Sequence, residues 1–155
     1  MHILLATDAD HVVNDVTAAL GGPEVSFTIC RNGRDVTAVV AGRTPDLVVC
    51  DMQIGSKGGI AVTMDLRLDE SAGRAPNVKV LLLLDRAADI HLAKRCATDG
   101  YLVKPLDPLG LQRAVAAILA PPTSPPAGES TGESTGESTG ESTGESPEEE
   151  PANVG

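Results

Sequence analysis

Apolar and polar positions alternate between two rhythms along the first 120 residues. Short apolar runs read as strands: HILLAT from His2, VSFTIC from Val25, DLVVCD from Asp46, VKVLLLL from Val78 and YLVK from Tyr101. VSFTIC alternates Val25, Phe27 and Ile29, which predicts a strand with two unlike faces. DLVVCD and VKVLLLL are apolar nearly throughout, as expected of parallel strands covered on both sides. Between these runs the spacing lengthens to that of a helix. Val12, Val13, Val16, Ala19 and Leu20 mark the first helix, and Val36, Val39 and Val40 a short second one. Ile60, Met64 and Leu68 mark a third, and ADIHLAKRCATDG a fourth that ends at Gly100. The last, DPLGLQRAVAAILA, has Asp107 as its cap and Pro108 at its first position.

Five strand–helix units in alternation predict an α/β domain of three layers, with a doubly wound parallel sheet between helices. In such sheets, sites form at the carboxyl ends of the strands, near the point where the strand order reverses.

Composition changes abruptly at Pro121. The remaining residues, 121–155, hold eight Glu, no Lys or Arg, and one large apolar residue, Val154. Gly-Glu-Ser-Thr repeats from Gly128 to Thr143, a period far too short for a solenoid. The expected organisation is a folded domain over 1–120 and a disordered acidic tail over 121–155. All 12 basic residues and 14 of the 22 acids fall in 1–120, so the acidity belongs to the tail. The balance excludes a basic nucleic-acid-binding patch, and no direct DNA binding is expected. With one Phe and one Tyr, the core must be aliphatic. Cys30, Cys50 and Cys96 are odd in number and sit in apolar contexts, which predicts reduced core thiols. MHILLATDAD carries no basic leader or cleavage pattern, and no apolar run is long enough to span a bilayer. A cytoplasmic location without a membrane partner is expected.

The strand ends carry the chemistry. The first ends in Thr7, Asp8, Ala9 and Asp10, the third in Asp51, the fourth in Leu84 and Asp85, and the fifth in Lys104 and Pro105. Clustered carboxylates repel one another, and a divalent cation relieves the repulsion. Magnesium suits one or two carboxylates completed by water and phosphate oxygens. A carboxylate nucleophile, a magnesium site and an ammonium group together make a phosphoryl acceptor. The loop GSKGG after Asp51 leaves room for the transferred group.

ILLATDAD, PDLVVCDMQIGSKGG and GYLVKPLDP together resemble the receiver domain of two-component response regulators, over residues 1–120. The resemblance implies a flavodoxin-like (βα)5 fold with strand order 2-1-3-4-5. It also implies that Asp51 is the phosphorylated aspartate and that Lys104 contacts the phosphoryl group. Asp8 would be a direct metal ligand, joined by Asp51 and by the backbone carbonyl of Gln53, with Mg2+ as the cofactor. Pro105 would follow a cis peptide, and Tyr101 would be the aromatic that changes rotamer. The implied partners are a sensor histidine kinase or phosphotransfer protein, which supplies the phosphoryl group, and an unidentified downstream protein. The domain itself is not expected to be an enzyme beyond assisting its own phosphorylation and dephosphorylation. With only a tail after it, output is expected by protein contact around His91, Lys94, Arg95 and Tyr101.

Three positions depart from the family pattern. Thr7 replaces the first acid of the pair, with Asp10 one turn on as a candidate replacement beside the metal. Gly55 replaces a proline. The Ser or Thr at the end of the fourth strand, which bonds the phosphoryl group and couples it to the aromatic, has no counterpart, because Val78 to Thr98 contains neither in between. That favours an alternative, a pseudo-receiver acting by contact without phosphorylation. A further alternative reads ILLATDADHV as the Asp-x-Asp loop of haloacid-dehalogenase-type phosphatases, with Asp8 as nucleophile and Asp10 as general acid. It leaves Asp51 and Lys104 without a role. His2, His11 and His91 are scattered, and core or surface roles are expected for them.

Overall fold

Five parallel strands form one sheet in the order β2-β1-β3-β4-β5. They are β1 (His2–Ala6), β2 (Ser26–Cys30), β3 (Leu47–Asp51), β4 (Lys79–Leu84) and β5 (Gly100–Val103). The helices between them are α1 (Asp10–Leu20), α2 (Val36–Gly42), α3 (Gly59–Ser71), α4 (Ile90–Arg95) and α5 (Pro108–Leu119). The structure is a computed structural model that describes residues 1–122. The expected acidic tail lies outside the described residues, apart from Pro121 and Pro122.

The apolar runs become the central strands because both faces of the sheet are covered. Every residue of β1 and β3 is buried. Leu4, Ala6, Val48, Cys50, Val80, Leu82 and Leu84 point to one side, against Val36, Val40, Val62, Leu66 and Ala93 of α2, α3 and α4. Ile3, Leu5, Leu47, Val49, Leu81 and Leu83 point to the other, against Val12, Val16, Leu111 and Val115 of α1 and α5. Strand periodicity therefore divides one aliphatic run between two cores, as the three-layer reading requires. β2, at the sheet edge, is less covered, and Ile29 is exposed. Asp107 accepts a hydrogen bond from Gly110 N at 2.7 Å and caps α5, with Pro108 in the first turn. Cys30, Cys50 and Cys96 are all buried free thiols.

Two helix expectations need correction. Ile60, Met64 and Leu68 do not form the packed stripe of α3: Met64 and Leu68 are exposed. The buried face is Gly59, Val62, Thr63 and Leu66. Thr63 belongs there because its hydroxyl donates to Gly59 O at 2.9 Å, which removes the cost of burying it. The fourth helix ends at Arg95 and not at Gly100, which opens β5. Ala97 turns into the left-handed region at φ 59°, so the helix cannot continue through it. Among the described residues no helix is long and apolar enough to cross a membrane.

Gly59 holds α3 tightly against the end of β3. A Cβ there would lie 2.6 Å from the Asp51 carbonyl oxygen and 3.0 Å from Leu82 Cδ1. At Gly42 a Cβ would meet nothing within 4 Å. Gly59→Ala should therefore destabilise the domain by about 1–3 kcal/mol through overpacking. Gly42→Ala, inside α2, should stabilise it by about 0.4–1 kcal/mol. Denaturant unfolding of the two variants beside the wild type checks the contrast.

Candidate functional site

The carboxyl ends of β1, β3, β4 and β5 meet at one edge of the sheet, and their polar residues converge there. Asp51 closes β3 with 1 % of its surface exposed. A carboxylate so deeply buried requires donors, and three parts of the chain supply them. Thr7, just past β1, donates its hydroxyl to Asp51 Oδ2 at 2.8 Å. The backbone N–H of Gln53 donates to Oδ1 at 3.1 Å. Lys104, just past β5, donates from Nζ to Oδ1 at 2.7 Å. The Lys104–Pro105 peptide is cis.

The loop after β3 folds back over β1. Gly55 N donates to Asp8 Oδ2 at 3.1 Å, and a Cβ on Gly55 would come within 2.9 Å of that oxygen. The same loop accepts a hydrogen bond from Gly33 N on the Gly55 carbonyl at 3.1 Å, which fixes it to the connection after β2. Asp8 is exposed, so it faces solvent at the rim while Asp51 lies beneath. Two carboxylates from neighbouring strand ends, one buried and one open to water, are a donor set that fits a hard divalent cation retaining several waters. Among the described residues no group of three or more acidic, His or Cys side chains converges, so such an ion would rest on those two carboxylates and backbone oxygens.

The other expected residues divide. Thr7 is buried and bonded to Asp51. Asp10 is turned away, paired with Arg31 at 2.8 Å, and 82 % of its side chain is exposed. It does not stand in for the missing acid, because the guanidinium at the end of β2 holds it outside. Gln53 is exposed and reaches Asp51 only by its backbone. Tyr101 is half-buried in β5, opposite Leu82, and packs on the core shared with α3 and α4. His11 lines a cleft of about 360 Å³ together with Asp15, Lys104, Pro105 and Leu106.

Asp85 is where the sequence reading fell short. The sequence marks it only as an acid at the end of the fourth strand, yet its Oδ1 accepts from Lys104 Nζ at 3.2 Å. One ammonium thus serves two carboxylates. The signal was an acid following a buried strand, the same pattern that marks Asp51. Burial works against the Lys104 ammonium, but the hydrogen bonds and charges of Asp51, then those of Asp85, outweigh it and hold its pKa above the ordinary lysine value. Cys50 sits beside Asp51, and burial, then the Asp51 charge, then Cys30 and Cys96 push its thiol pKa well up. It offers no thiolate to the site.

The family model of the response regulator receiver domain matches residues 3–116. The protein PilH of Pseudomonas aeruginosa is 28 % identical over 118 residues, which cover 76 % of this chain and 97 % of PilH. The transcriptional regulatory protein AruR of the same organism is 27 % identical over 113 residues, covering 68 % of this chain and 44 % of AruR. The chain thus spans less than half the length of AruR. The receiver domain of a P. aeruginosa sensor histidine kinase, with a magnesium ion coordinated in its active-site cleft, shares the fold. Its TM-score is 0.66 at 21 % identity, covering 76 % of this chain and 96 % of that one.

The raised Lys104 pKa fixes the sign of one pH effect. A lysine whose folded-state pKa lies above its unfolded value contributes stability that is fully present below about pH 10.4 and is lost as pH rises through the folded value. Lys104→Met should lack this alkaline loss. At neutral pH it should be less stable by about 3 kcal/mol, because Asp51 stays buried without its cation. Unfolding free energies between pH 7 and the alkaline limit, for both proteins, check this.

Proposed function

The chain belongs to the response regulator receiver domain family, and we propose that it accepts a phosphoryl group on Asp51 from the phosphohistidine of a sensor histidine kinase or phosphotransfer protein. Domains of this family are signalling phosphoacceptors and not enzymes in the ordinary sense. The observation that carries the reading is the contact of Lys104 with Asp51 at 2.7 Å, which brings the ends of β3 and β5 together on a buried carboxylate.

In the transfer, an Asp51 oxygen forms the new bond to phosphorus. The bond from phosphorus to the donor imidazole breaks, and its electron pair leaves on the imidazole nitrogen. Lys104 sits where it can neutralise charge on the transferred oxygens. Thr7 holds the other Asp51 oxygen and thereby fixes the plane of the carboxylate. Asp8, Asp51 and the Gln53 carbonyl would hold Mg2+, whose charge, when bound, offsets the repulsion between the phosphoryl group and the carboxylates. Residues 1–120 would form the receiver and 121–155 an acidic low-complexity extension. Output would pass by protein contact through the surface of α4 and β5, where His91, Lys94 and Arg95 are exposed and Tyr101 is half-buried. The bond from Lys104 to Asp85 supports the alternative of a phosphorylation-independent interaction module, since it ties up the group a phosphoryl oxygen needs.

Intact-mass measurement after incubation with acetyl phosphate and magnesium separates the two readings. The wild type should gain one phosphoryl group and Asp51→Asn none. An unmodified wild type that still binds its partners would establish the interaction module instead.

A further inference from the structure

Among the described residues Lys104 is the single cation paired with two acids at the carboxyl edge of the sheet. Its Nζ lies 2.7 Å from Asp51 Oδ1 and 3.2 Å from Asp85 Oδ1. The two acids are held very differently. Asp51 has three donors from three segments of the chain. Among the described residues Asp85 has Lys104 alone as an ion-pair partner, and its Oδ2 is buried with no hydrogen bond. The neighbouring guanidinium does not help. Arg86 is committed to Asp89, donating from Nε at 3.1 Å and from Nη2 at 2.9 Å. No Ser or Thr stands between Val78 and Thr98 to offer a neutral hydroxyl in place of the acid.

A phosphoryl group on Asp51 would bring additional negative charge to the ammonium that Asp85 already shares. Like charges at this separation oppose one another. A single ammonium cannot fully neutralise a phosphoryl group while it remains bonded to Asp85. Since Asp85 has no other bonded partner to hold its carboxylate in place, it is the group that yields.

We propose that Asp85 is a positioning residue that competes with the phosphoryl group for Lys104, and so sets how tightly the site takes up that anion. This rests on the reading of Asp51 as the phosphoryl acceptor. In the unmodified protein Asp85 holds the Lys104 side chain at the strand ends. On uptake of the anion the ammonium transfers to the anion, and the connection between β4 and α4 loses its tie to β5. The competition acts through charge, so an isosteric neutral side chain at 85 removes it without changing the packing.

Two measurements on the full chain test this. The first is the affinity for beryllium fluoride in the presence of magnesium chloride, for the wild type, Asp85→Asn and Asp85→Glu. Asp85→Asn should bind the analogue at least about tenfold more tightly, the size of effect a neighbouring charge commonly imposes, and Asp85→Glu should fall back toward the wild type. The second is acetylation of lysines by acetic anhydride with no analogue present, read by mass spectrometry. Lys104 should label several-fold faster in Asp85→Asn, while Lys57, Lys79 and Lys94 serve as internal references. Equal analogue affinity in the wild type and Asp85→Asn overturns the competition and leaves the acceptor reading standing. Analogue binding to neither protein overturns the acceptor reading, and the competition with it. Unchanged Lys104 labelling in Asp85→Asn overturns the tie itself.

Discussion

A charged group with almost no exposure ends the central strand, and the surrounding structure is organised to make that tolerable. Thr7, Gln53 and Lys104 reach the Asp51 carboxylate from three separate segments and supply the hydrogen bonds that its burial requires. Each of these donors is placed by strand register. β3 pairs Asp51 with Leu83, and β4 pairs Leu83 with Leu102 and Leu84 with Val103, so Lys104 emerges one residue beyond the last pair, on the same face of the sheet as Asp51. The Lys104 N–H extends the ladder by donating to Leu84 O at 2.8 Å. A slip of one residue in either pairing would send Lys104 to the opposite face and leave the carboxylate without its cation. The aliphatic core and the charged edge therefore specify the same register for different reasons. One does so by apolar alternation, the other by the high cost of an unpaired buried charge.

Much of this was legible in the sequence. The five apolar runs and the helical spacings between them marked every strand and helix, and the acids and lysine at the strand ends marked the site. These features are local: a strand's burial is written in its own residues, and a strand end is wherever the apolar run stops. What escaped was decided at a distance. Ile60, Met64 and Leu68 look like a core stripe, but α3 turns the face containing Gly59 and Thr63 inward, because only a glycine fits against the end of β3. Asp10 looks like a member of the acidic cluster until Arg31, at the end of another strand, is seen to claim it. The early end of α4 follows from the left-handed turn at Ala97, after which Asp99 fixes the chain by bonding Arg67 at 2.5 Å and Val80 N at 2.8 Å.

Asp85 is the instructive case. Its chemistry was visible and its consequence was not. Reading along the chain, an acid after β4 simply opposes an anion. In three dimensions it also shares a cation with Asp51, so the same residue both opposes the anion and holds the group that would receive it. That double role arises because β3, β4 and β5 are neighbours in the sheet, whereas in the sequence Lys104 lies 19 residues from Asp85 and 53 from Asp51.

The brevity of α4 bears on where the native state first comes apart. A helix of six residues has few backbone bonds of its own, and short helices depend on tertiary packing to persist. Ala93 is its one fully buried position, and its last turn runs directly into the strained Ala97. Local openings draw on such thinly anchored segments long before the central strands are disturbed. A crossover anchored this thinly is where a local opening is expected first, ahead of the central strands. Its amide protons should exchange with solvent through a low-energy opening of their own, while those of β1 and β3 wait for the whole domain to unfold.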